Sequence, residues 1–584
     1  MASANDIITL DNFASRMPKW APDLTNHLYA LVDMGSNGIR FSVSDLSPPR
    51  ARLLTCLYRE RAAISLFDAL IASSSAGSLS FSSEVVTQVS QTLARFKAIA
   101  VRYGVPLEHI SVFATEAMRK ADNAASMLDA IRKESGLGVK ILAPQVETLF
   151  GAIGARSTFT HVNGLFLDLG GGSVQMTYMN SSTSEYAIAA AQTGKSLPFG
   201  AAKLSHVLNQ GEAHAQTVAL SDLQTGMRDA FARLQQEFPA LKNVVGNSKS
   251  DGLDIYLCGG GFRGYGSMLM HTDPIRPYPI PAIGAYTVDG TRFCQTTIMR
   301  QVNEEEDGKI YGMSNRRRKQ FPAIATVVEA LAETVPRIHT VTFCSGGNRE
   351  GALLMKLPED IRESSPLQVL HTSLNGDSDV PDLVVSTLKS ALPESMDSSA
   401  LPTVFTLGLG SLFASEIWKQ SGESDEANSA SVLYQATTQQ PSAPGFTHLA
   451  RAVLGLTLCF RWGANLGPRD KATFSNLRRL ASRNHPEAIF WAEYIGAVAS
   501  LVADVCPKAP ETAHEINDFV SFDSRITHGK KKTKVQLTIS LSAVARTALD
   551  PEDIVKLFKS VGKRKDDAED SSMKVEIIVQ KMHL

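Results

Sequence analysis

The chain has 584 residues, too many for a single hydrophobic core, so we expect several domains. Hydrophobic residues make up 43% and charged residues 20% of the chain, which is typical of a soluble globular protein. The formal net charge of −1 gives the whole chain no attraction to nucleic acid or to anionic membranes, so an anion site must be local.

Targeting signals and cysteines point to the same compartment. Asp6 falls where a signal peptide would be apolar, and no segment approaches about 18 uninterrupted apolar residues. The 6 cysteines form no CxxC pair and are expected to be buried, reduced thiols. These features predict a cytosolic or nuclear protein without a membrane segment.

Strand-like and helix-like segments alternate through the first part of the chain. Residues 1–27 have no clear period and are expected to be a leader on the surface. Between 28 and about 355, helical periodicity in SSEVVTQVSQTLARFKAIAVRYG and AIATVVEALAETV alternates with apolar strand candidates. The strand candidates are HLYALVDM, IRFSVSDL, ISVFAT, GLFLDLG, VQMTYM, DIYLCGG and HTVTFCSGG. This alternation predicts an α/β architecture.

The C-terminal part has a different composition. Residues 371–402 and 420–444 are rich in Ser, Asp, Pro and Gln and are expected to be loops. Apolar periodic segments around them predict a helical domain at 365–525. A strand, helix, strand pattern then predicts a small α+β module at 526–584.

Two glycine turns follow an aspartate at the end of a strand. In DMGSNGIR, Asp33 precedes a turn with Gly35, Ser36 and Asn37, and Arg40 lies on the return strand. Backbone N–H groups in such a turn can approach a phosphate, and Arg40 can pair with its oxygens. The alternative is an ordinary Asn-Gly hairpin whose aspartate caps the backbone.

The pattern returns later, which favours the phosphate hypothesis. Asp168 precedes Gly170, Gly171, Gly172 and Ser173, again between two apolar runs. We therefore expect two similar lobes that face each other over a phosphate chain, and Asp33 would hold a metal or a water. A third cluster, Gly259, Gly260 and Gly261, could approach a nucleoside or phosphate or could be a flexible strand end.

These motifs resemble the exopolyphosphatase and guanosine-pentaphosphate phosphohydrolase (Ppx/GppA) family of the actin-like ATPase superfamily. DMGSNGIR and DLGGGS resemble its two phosphate motifs, and SLPFGA and SGGNREG resemble later stretches. TEAMRKADN resembles a further segment and contributes Thr115 and Arg119. The resemblance covers about 28–356. It implies an actin-like (RNase H-like) two-lobed core, with lobes at about 28–155 and 156–356, that binds Mg²⁺ with ATP or another nucleoside polyphosphate.

Departures from the family pattern concern hydrolysis. Val146 stands where the family has the first of two glutamates, so Glu147 is the candidate base, with a surface or capping carboxylate as the alternative. Gln175 replaces a glutamate; it can orient a water but cannot act as a base or as a metal-binding carboxylate, so metal binding rests mainly on Asp33 and Asp168. Arg119 would stabilise charge. Whether the chain is an enzyme stays open, the alternatives being an active exopolyphosphatase or nucleoside polyphosphate phosphohydrolase and a regulator with weak or no turnover.

The combination of DMGSNGIRFS, DLGGGSVQ and YGMSNRRRKQFPAIATVVEAL with a C-terminal extension resembles the fungal branch of the family, which signals mitochondrial dysfunction to nuclear metabolic genes. That resemblance implies a cytoplasmic nucleotide-binding regulator that holds an inhibitory partner protein. No direct nucleic-acid partner is expected, and the choice between a monomer and a homodimer stays open. Two basic clusters remain. Residues 316–319 are a candidate cleft edge for polyanions, and Lys530, Lys531, Lys532 and Lys534 are expected to be solvated.

Overall fold

The computed structural model describes residues 6–72, 78–247, 250–376, 378–397, 400–439, 443–483, 485–529, 532–563 and 573–582. The chain forms two compact units. The first comprises Met1–Thr272 and Ala282–Pro366, and the second comprises Asp273–Pro281 and Leu367–Leu584.

The first lobe of the first unit contains a six-stranded sheet in the order β1-β6-β5-β2-β3-β4. Its strands are β1 (Ile7–Ile8), β2 (Leu28–Gly35), β3 (Gly38–Asp45), β4 (Thr55–Ala62), β5 (Ile110–Ala114) and β6 (Val139–Leu142). Its helices are α1 (Phe13–Arg16), α2 (Leu66–Ala72), α3 (Ser83–Arg102), α4 (Glu116–Lys120), α5 (Ala124–Ser135) and α6 (Pro144–Arg156).

The second lobe contains another six-stranded sheet in the order β11-β12-β10-β7-β8-β9. Its strands are β7 (Asn163–Leu169), β8 (Val174–Asn180), β9 (Lys195–Leu197), β10 (Leu253–Cys258), β11 (Tyr286–Asp289) and β12 (Ile338–Phe343). Its helices are α7 (Tyr186–Thr193), α8 (Ala201–Gln210), α9 (Ala213–Glu237), α10 (Pro239–Gly246), α11 (Gly259–His271), α12 (Gly290–Phe293), α13 (Thr296–Glu305), α14 (Asn315–Thr334), α15 (Asn348–Leu354) and α16 (Glu359–Glu363).

The two lobes repeat one topology. In each, an antiparallel three-stranded meander is followed by a strand that pairs in parallel with its first strand: β2 pairs with β3 and β5, and β7 pairs with β8 and β10. Because these central strands are covered on both faces, they are almost uninterrupted runs of buried apolar residues. All the strands that the sequence predicted in this region are present.

Helix α3 shows why the helical predictions held. The Ser82 hydroxyl accepts from the Val85 N–H and caps the helix. Val89, Leu93 and Phe96 recur at helical spacing and are fully buried.

The leader is part of the first sheet. Ile7 and Ile8 pair in parallel with β6, which extends the sheet edge. Ile8, Met17 and Trp20 are buried in the hydrophobic core. Sequence periodicity missed this segment because a two-residue strand carries no detectable period.

The second unit is built from helices and one small sheet. Its helices are α17 (Pro366–Asn375), α18 (Val380–Ser390), α19 (Thr403–Thr406), α20 (Gly410–Glu416), α21 (Asp425–Thr438), α22 (His448–Arg461), α23 (Pro468–Ser482), α24 (Ala488–Val505), α25 (Ala513–Asn517), α26 (Ala543–Ala548) and α27 (Pro551–Ser560). The sheet has the order β13 (Val520–His528), β14 (Thr533–Leu541), β15 (Met573–Lys581). Strand β13 begins inside the range assigned from sequence to the helical domain.

The prediction of loops at 371–402 and 420–444 was wrong. Helices α17 and α18 occupy much of the first range, and α21 occupies most of the second. The polar residues that suggested loops begin helices instead: Pro381 lies in the first turn of α18, and the Ser424 hydroxyl accepts from the Ala427 N–H.

Helix α24 is the main core element of the second unit. Among the described residues it is the one helix long and apolar enough to cross a membrane, but 94% of it is buried, as in the core helix of a globular unit. Its Glu493 is fully buried and accepts from the Gly562 N–H at 2.8 Å.

The cysteine prediction held in part. All 6 thiols are free, and Cys258, Cys344, Cys459 and Cys506 are buried. Cys56 and Cys294 are exposed, because they lie outside the apolar runs that bury the others.

Candidate functional site

The first glycine turn is the tip of the β2–β3 hairpin. Asp33 pairs across the hairpin with Arg40, and Gly35 pairs with Gly38, so Ser36 and Asn37 form the tip. Asp33 is only 5% exposed, its Oδ1 has no hydrogen-bond partner, and Oδ2 lies 3.7 Å from Nη1 of Arg40. Burial raises the pKa of Asp33, and the charges of Arg40 and Arg349 oppose this shift. This oxygen therefore has free acceptor capacity that a hydrogen-bond donor or a cation could use.

The second glycine turn repeats this geometry in the other lobe. Asp168 pairs across the β7–β8 hairpin with Gln175, and Leu169 pairs with Val174. Gly170–Ser173 form the tip, closed by a 3.0 Å hydrogen bond from the Gly170 N–H to the Ser173 carbonyl. Each hairpin therefore carries an aspartate at the end of its first strand.

The two hairpin tips meet across one cavity of about 70 Å³. A Cβ on Gly171 would lie 2.7 Å from Cγ of Asn37, and one on Gly172 would lie 3.0 Å from Oγ of Ser36. The glycines are thus required for the close approach. The cavity is lined by Asp33, Gly35, Ser36, Asn37, Gly38, Arg40, Thr115, Glu116, Glu147, Asp168, Gly170, Gly171, Gly172, Ser173, Gln175, Gly259, Gly260 and Asn348.

Nearly all residues that the sequence singled out line this cavity. Arg119 and Gly261 do not. Arg119 acts on the cavity indirectly, because its Nη2 donates to Oε2 of Glu147 at 2.8 Å. Gly261 faces Leu169, whose Cδ2 would lie 2.5 Å from a Cβ at that position, so this glycine serves packing between α11 and β7.

Glu147 lies in the first turn of α6 with its carboxylate toward the cavity. Burial raises its pKa to about 7, and the charge and hydrogen bond of Arg119 oppose the shift. Its neighbour Val146 is fully buried in the hydrophobic core. Position 146, where the family has its first glutamate, therefore lies in the hydrophobic core. Position 147, where this chain keeps the glutamate, faces the cavity.

Gln175 is buried and held in one orientation. Its Nε2 donates to the hydroxyl oxygens of Ser173 at 2.8 Å and of Ser196 at 3.3 Å. These bonds leave the side-chain oxygen as an acceptor for a water or a phosphate-bound proton.

The third glycine cluster begins α11. Gly259 has a φ of +88°, and a Cβ there would lie 2.2 Å from Oδ1 of Asp168. Gly259 and Gly260 both line the cavity. The turn therefore brings the N-terminus of α11 against the second aspartate.

Three cavity residues were missed from sequence: Gly38, Glu116 and Asn348. Glu116 pairs with Arg119 and Lys120. Oδ1 of Asn348 is buried without a hydrogen-bond partner. Asn348 belongs to the SGGNREG stretch, which resembles the family through Ser345, Arg349, Glu350 and Gly351, so this motif was the available signal.

The donor set fits Mg²⁺ better than a metal held wholly by protein. No group of three or more His, Cys, Asp or Glu side chains that could hold a metal occurs in the described part of the chain. Mg²⁺ is commonly bound by one or two carboxylates together with waters and substrate phosphates. Asp33 and Asp168 could supply those carboxylates.

The paired lobes and opposed hairpins define an actin-like, two-lobed core. Residues 47–360 match the model of the Ppx/GppA phosphatase family, and residues 365–583 match that of the RTG2 C-terminal domain. The chain belongs to the Ppx/GppA phosphatase family, and the predicted actin-like, two-lobed α/β fold with a helical C-terminal region is confirmed.

Relatives cover different parts of the chain. It is 28% identical over 497 residues to retrograde regulation protein 2 of Saccharomyces cerevisiae, covering 83% of this chain and 82% of that protein. It is 27% identical over 336 residues to exopolyphosphatase 1 of Mycobacterium leprae, covering 56% and 89%. The solved Ppx/GppA family member of Aquifex aeolicus is 17% identical, with a TM-score of 0.42, covering 56% of this chain and 96% of that one.

Proposed function

We propose that the chain is a nucleotide-binding regulator of mitochondria-to-nucleus retrograde signalling, with weak or no phosphohydrolase turnover. The observation that carries this proposal is the pair of glycine-turn hairpins that meet across one cavity, each with an aspartate at the same strand position. The signalling role is supported by the name of the yeast relative, retrograde regulation protein 2, which is similar over 83% of this chain.

The ligand would be ATP or another nucleoside polyphosphate with Mg²⁺. Backbone N–H groups of the two tips would contact phosphate oxygens, Arg40 would pair with them, and Asp33 and Asp168 would hold the metal. Bound Mg²⁺ supplies charge neutralisation between phosphate oxygens. The unpartnered Asp33 Oδ1 and Asn348 Oδ1 support a polar occupant.

Slow turnover is inferred from two features of the cavity wall. Gln175 is neutral where the family has an acid, and its amide is held by Ser173 and Ser196. The Glu147 carboxylate is paired with Arg119. Gln175 therefore cannot take a proton from a water, and Arg119 occupies one of the two Glu147 oxygens that could do so.

A second candidate function is hydrolysis of polyphosphate or of a nucleoside polyphosphate. It is favoured by the pKa of about 7 for Glu147, which suits a general base near neutral pH. Glu147 would take a proton from water, the water oxygen would attack the terminal phosphorus, and the remaining chain would leave. Turn amides and Arg40 would stabilise the developing charge.

Occupancy would act on a partner through lobe closure. A ligand that contacts both hairpins favours the arrangement in which they meet, and this shifts the population of closed molecules. The partner would be an inhibitory protein of the retrograde pathway, met in the cytoplasm, and the regulator would act as a monomer or a homodimer.

The test compares binding with phosphate release in the same samples. The purified chain is mixed with Mg²⁺ and ATP, GTP or polyphosphate. Binding is measured by calorimetry, and the inorganic phosphate released is measured in the same samples. Asp33→Asn should abolish binding because it removes the charge that faces the metal. Glu147→Gln should leave binding nearly unchanged.

Tight binding with negligible phosphate release supports the regulator. Rapid release that Glu147→Gln eliminates would establish the enzyme instead. Absence of binding to all three ligands by the unaltered chain would overturn both proposals.

A further inference from the structure

The sheet of the second unit has two outer strands, β13 and β15, which differ in how far the rest of the chain covers them. Helices α18 and α25 contact β13, and its Val520 and Ser524 are buried, with 0% and 4% of their surface exposed. In the described part of the chain, β15 pairs with β14 on one side and with no strand on the other. We call this unpaired side of β15 the open edge.

The backbone groups of β15 point alternately toward β14 and toward the open edge. The Met582 N–H donates to the Leu541 carbonyl at 2.9 Å, so the even-numbered residues bond to β14. The N–H and C=O groups of Val575, Ile577 and Val579 therefore point toward the open edge. Strand β15 contains no proline and pairs with β14 without a bulge, so nothing in its own backbone prevents a further strand from pairing with these groups.

The side chains of β15 leave apolar surface only partly covered. Ile577 lies beside the fully buried Leu537 of β14, so Val575, Ile577 and Val579 belong to the core face of the sheet. These three side chains are only half-buried. On the opposite face, Ile578 is 41% exposed. A strand that pairs along the open edge would remove more of this apolar surface from water.

The order of the residues along the open edge is symmetric about Ile577. An antiparallel second copy with its two-fold axis at Ile577 places Val575 opposite Val579 and Ile577 opposite its own counterpart. The residues whose backbone groups face the edge then meet as hydrogen-bonded pairs. Between these pairs, Glu576 lies opposite Ile578, and no two like charges are directly opposite each other in this register.

We propose that the open edge of β15 binds the same edge of a second copy of this chain, so that the two three-stranded sheets form one continuous sheet. The contact is isologous, with both copies using the same residues. Because β13 is covered by helices, each copy offers one open edge on this sheet, and assembly stops at two chains. A single strand pair buries a small area, so we expect a reversible dimer with a dissociation constant of about 10 µM.

Sedimentation equilibrium of the intact chain without ligand, between about 1 and 100 µM, measures this association. Ile578→Glu and Ile578→Lys form the decisive pair, because this exposed position lies opposite Glu576 of the second copy. Glutamate places two carboxylates opposite each other and should weaken the dimer about tenfold. Lysine places an amine opposite the carboxylate and should keep the dimer or strengthen it.

Ile577→Pro tests the backbone contact. This change removes an N–H that points to the open edge and none that bonds to β14, so the existing sheet keeps its hydrogen bonds. We expect a monomer over the whole concentration range. Thermal unfolding of each variant shows whether it is folded, and if Ile577→Pro is not, the two Ile578 variants still decide.

Ser521→Glu is the matched control. It adds the same charge as Ile578→Glu at an exposed position of β13, the outer strand that helices cover. The association measured for this variant should equal that of the unaltered chain.

The proposed contact is overturned if the intact chain stays monomeric at about 100 µM, and the open edge would then be left to a strand of a different protein. It is equally overturned if Ile578→Lys weakens the dimer as much as Ile578→Glu does, if folded Ile577→Pro still dimerises, or if Ser521→Glu dissociates the dimer. Growth beyond two chains with rising concentration would contradict the two-fold arrangement.

Discussion

At the scale of single residues, Glu147 has the most consequential environment. Its carboxylate is buried at the cavity wall and bonded to Arg119 at 2.8 Å, yet the pKa is raised to about 7. Desolvation outweighs the attraction of one guanidinium, so the protonated form is favoured below neutral pH. The proton on Glu147 therefore couples the cavity to pH in the physiological range.

This coupling predicts a pH-dependent stability difference. The folded-state pKa of Glu147 lies above the ordinary value of 4.5, so its stabilising contribution is complete below pH 4.5 and is lost as pH rises through about 7. Glu147→Gln is neutral throughout. We expect the free energy of unfolding of this variant, relative to the unaltered chain, to rise by roughly 2 kcal/mol between pH 5 and pH 8. Urea denaturation at the two pH values measures it.

Glu134→Gln provides the control, since Glu134 is exposed near the end of α5. Its effect on unfolding should be the same at both pH values. A pH-independent effect of Glu147→Gln would mean that Arg119 fully compensates the burial of that carboxylate.

At the scale of elements, helices α6 and α15 pack through glycines. A Cβ on Gly154 would lie 2.0 Å from the Gly347 carbonyl oxygen, and one on Gly351 would lie 1.8 Å from the Phe150 carbonyl oxygen. The backbones are thus in direct contact. Because Glu147 and Asn348 lie in the first turns of these helices, their packing sets the distance between two cavity walls.

Gly154→Ala should therefore destabilise the first unit by roughly 3 kcal/mol or more, since a backbone carbonyl cannot move aside as a side chain can. Gly246→Ala, at the end of α10 with open space around its Cβ, should leave stability nearly unchanged. Chemical denaturation of both variants makes the comparison. Equal stability of the two variants would show that α6 and α15 can separate freely.

Helix α14 also joins the lobes, mainly through the side chain of Arg316. Nη2 of Arg316 donates to Oδ1 of Asn37 at 2.7 Å and to Oγ of Ser65 at 2.6 Å, and pairs with Asp68. The first hairpin is therefore held by the second lobe even without ligand. Gln320 adds a weaker contact to the same asparagine.

Arg316→Gln should loosen the first hairpin. We expect faster amide hydrogen exchange at residues 35–38 in the absence of ligand and weaker ATP binding, because the tip is no longer held in place. Lys319→Gln, which removes an exposed charge from the same helix, should change neither quantity. Unchanged exchange at the hairpin in Arg316→Gln would show that the backbone pairing of β2 and β3 suffices.

At the scale of the whole molecule, the second unit takes part of its structure from within the first unit's sequence. Asp273–Pro281 belongs to the second unit. Asp273 is fully buried and pairs with Arg483 at 2.7 Å, while Asn476 donates to the Pro277 carbonyl at 2.8 Å. The two units are therefore not separable by one cut in the chain.

A truncated chain that ends at residue 366 should consequently be less soluble and less stable than the intact chain. It would leave residues 273–281 without their partners in the second unit and expose the buried Asp273. We expect low solubility and a lowered unfolding temperature for 1–366, both improved by co-expression with 367–584. A soluble 1–366 with the unfolding temperature of the intact chain would show that this segment is dispensable for the first unit.

Some elements of the fold and of the site could be predicted from the local sequence, and others could not. The hairpin strands could be predicted because long apolar runs end in glycine turns, and Asp33 and Asp168 follow directly from that pattern. The helices at 380–390 and 425–438 could not be predicted. Ser, Asp and Pro occur both in loops and at the starts of helices, and only the packing of the chain shows which of the two structures forms. Gly38 and Asn348 were missed because the family motifs do not specify their positions, and only the folded chain shows that they line the cavity.

By itself the sequence determined the repeated strand, aspartate and glycine-turn units and therefore the α/β core, because backbone conformation at such turns depends on the residues in them. Only the tertiary structure decided which of positions 146 and 147 faces the cavity. Val146 and Glu147 are adjacent in one helical turn, and their roles depend on which side of α6 packs against the core.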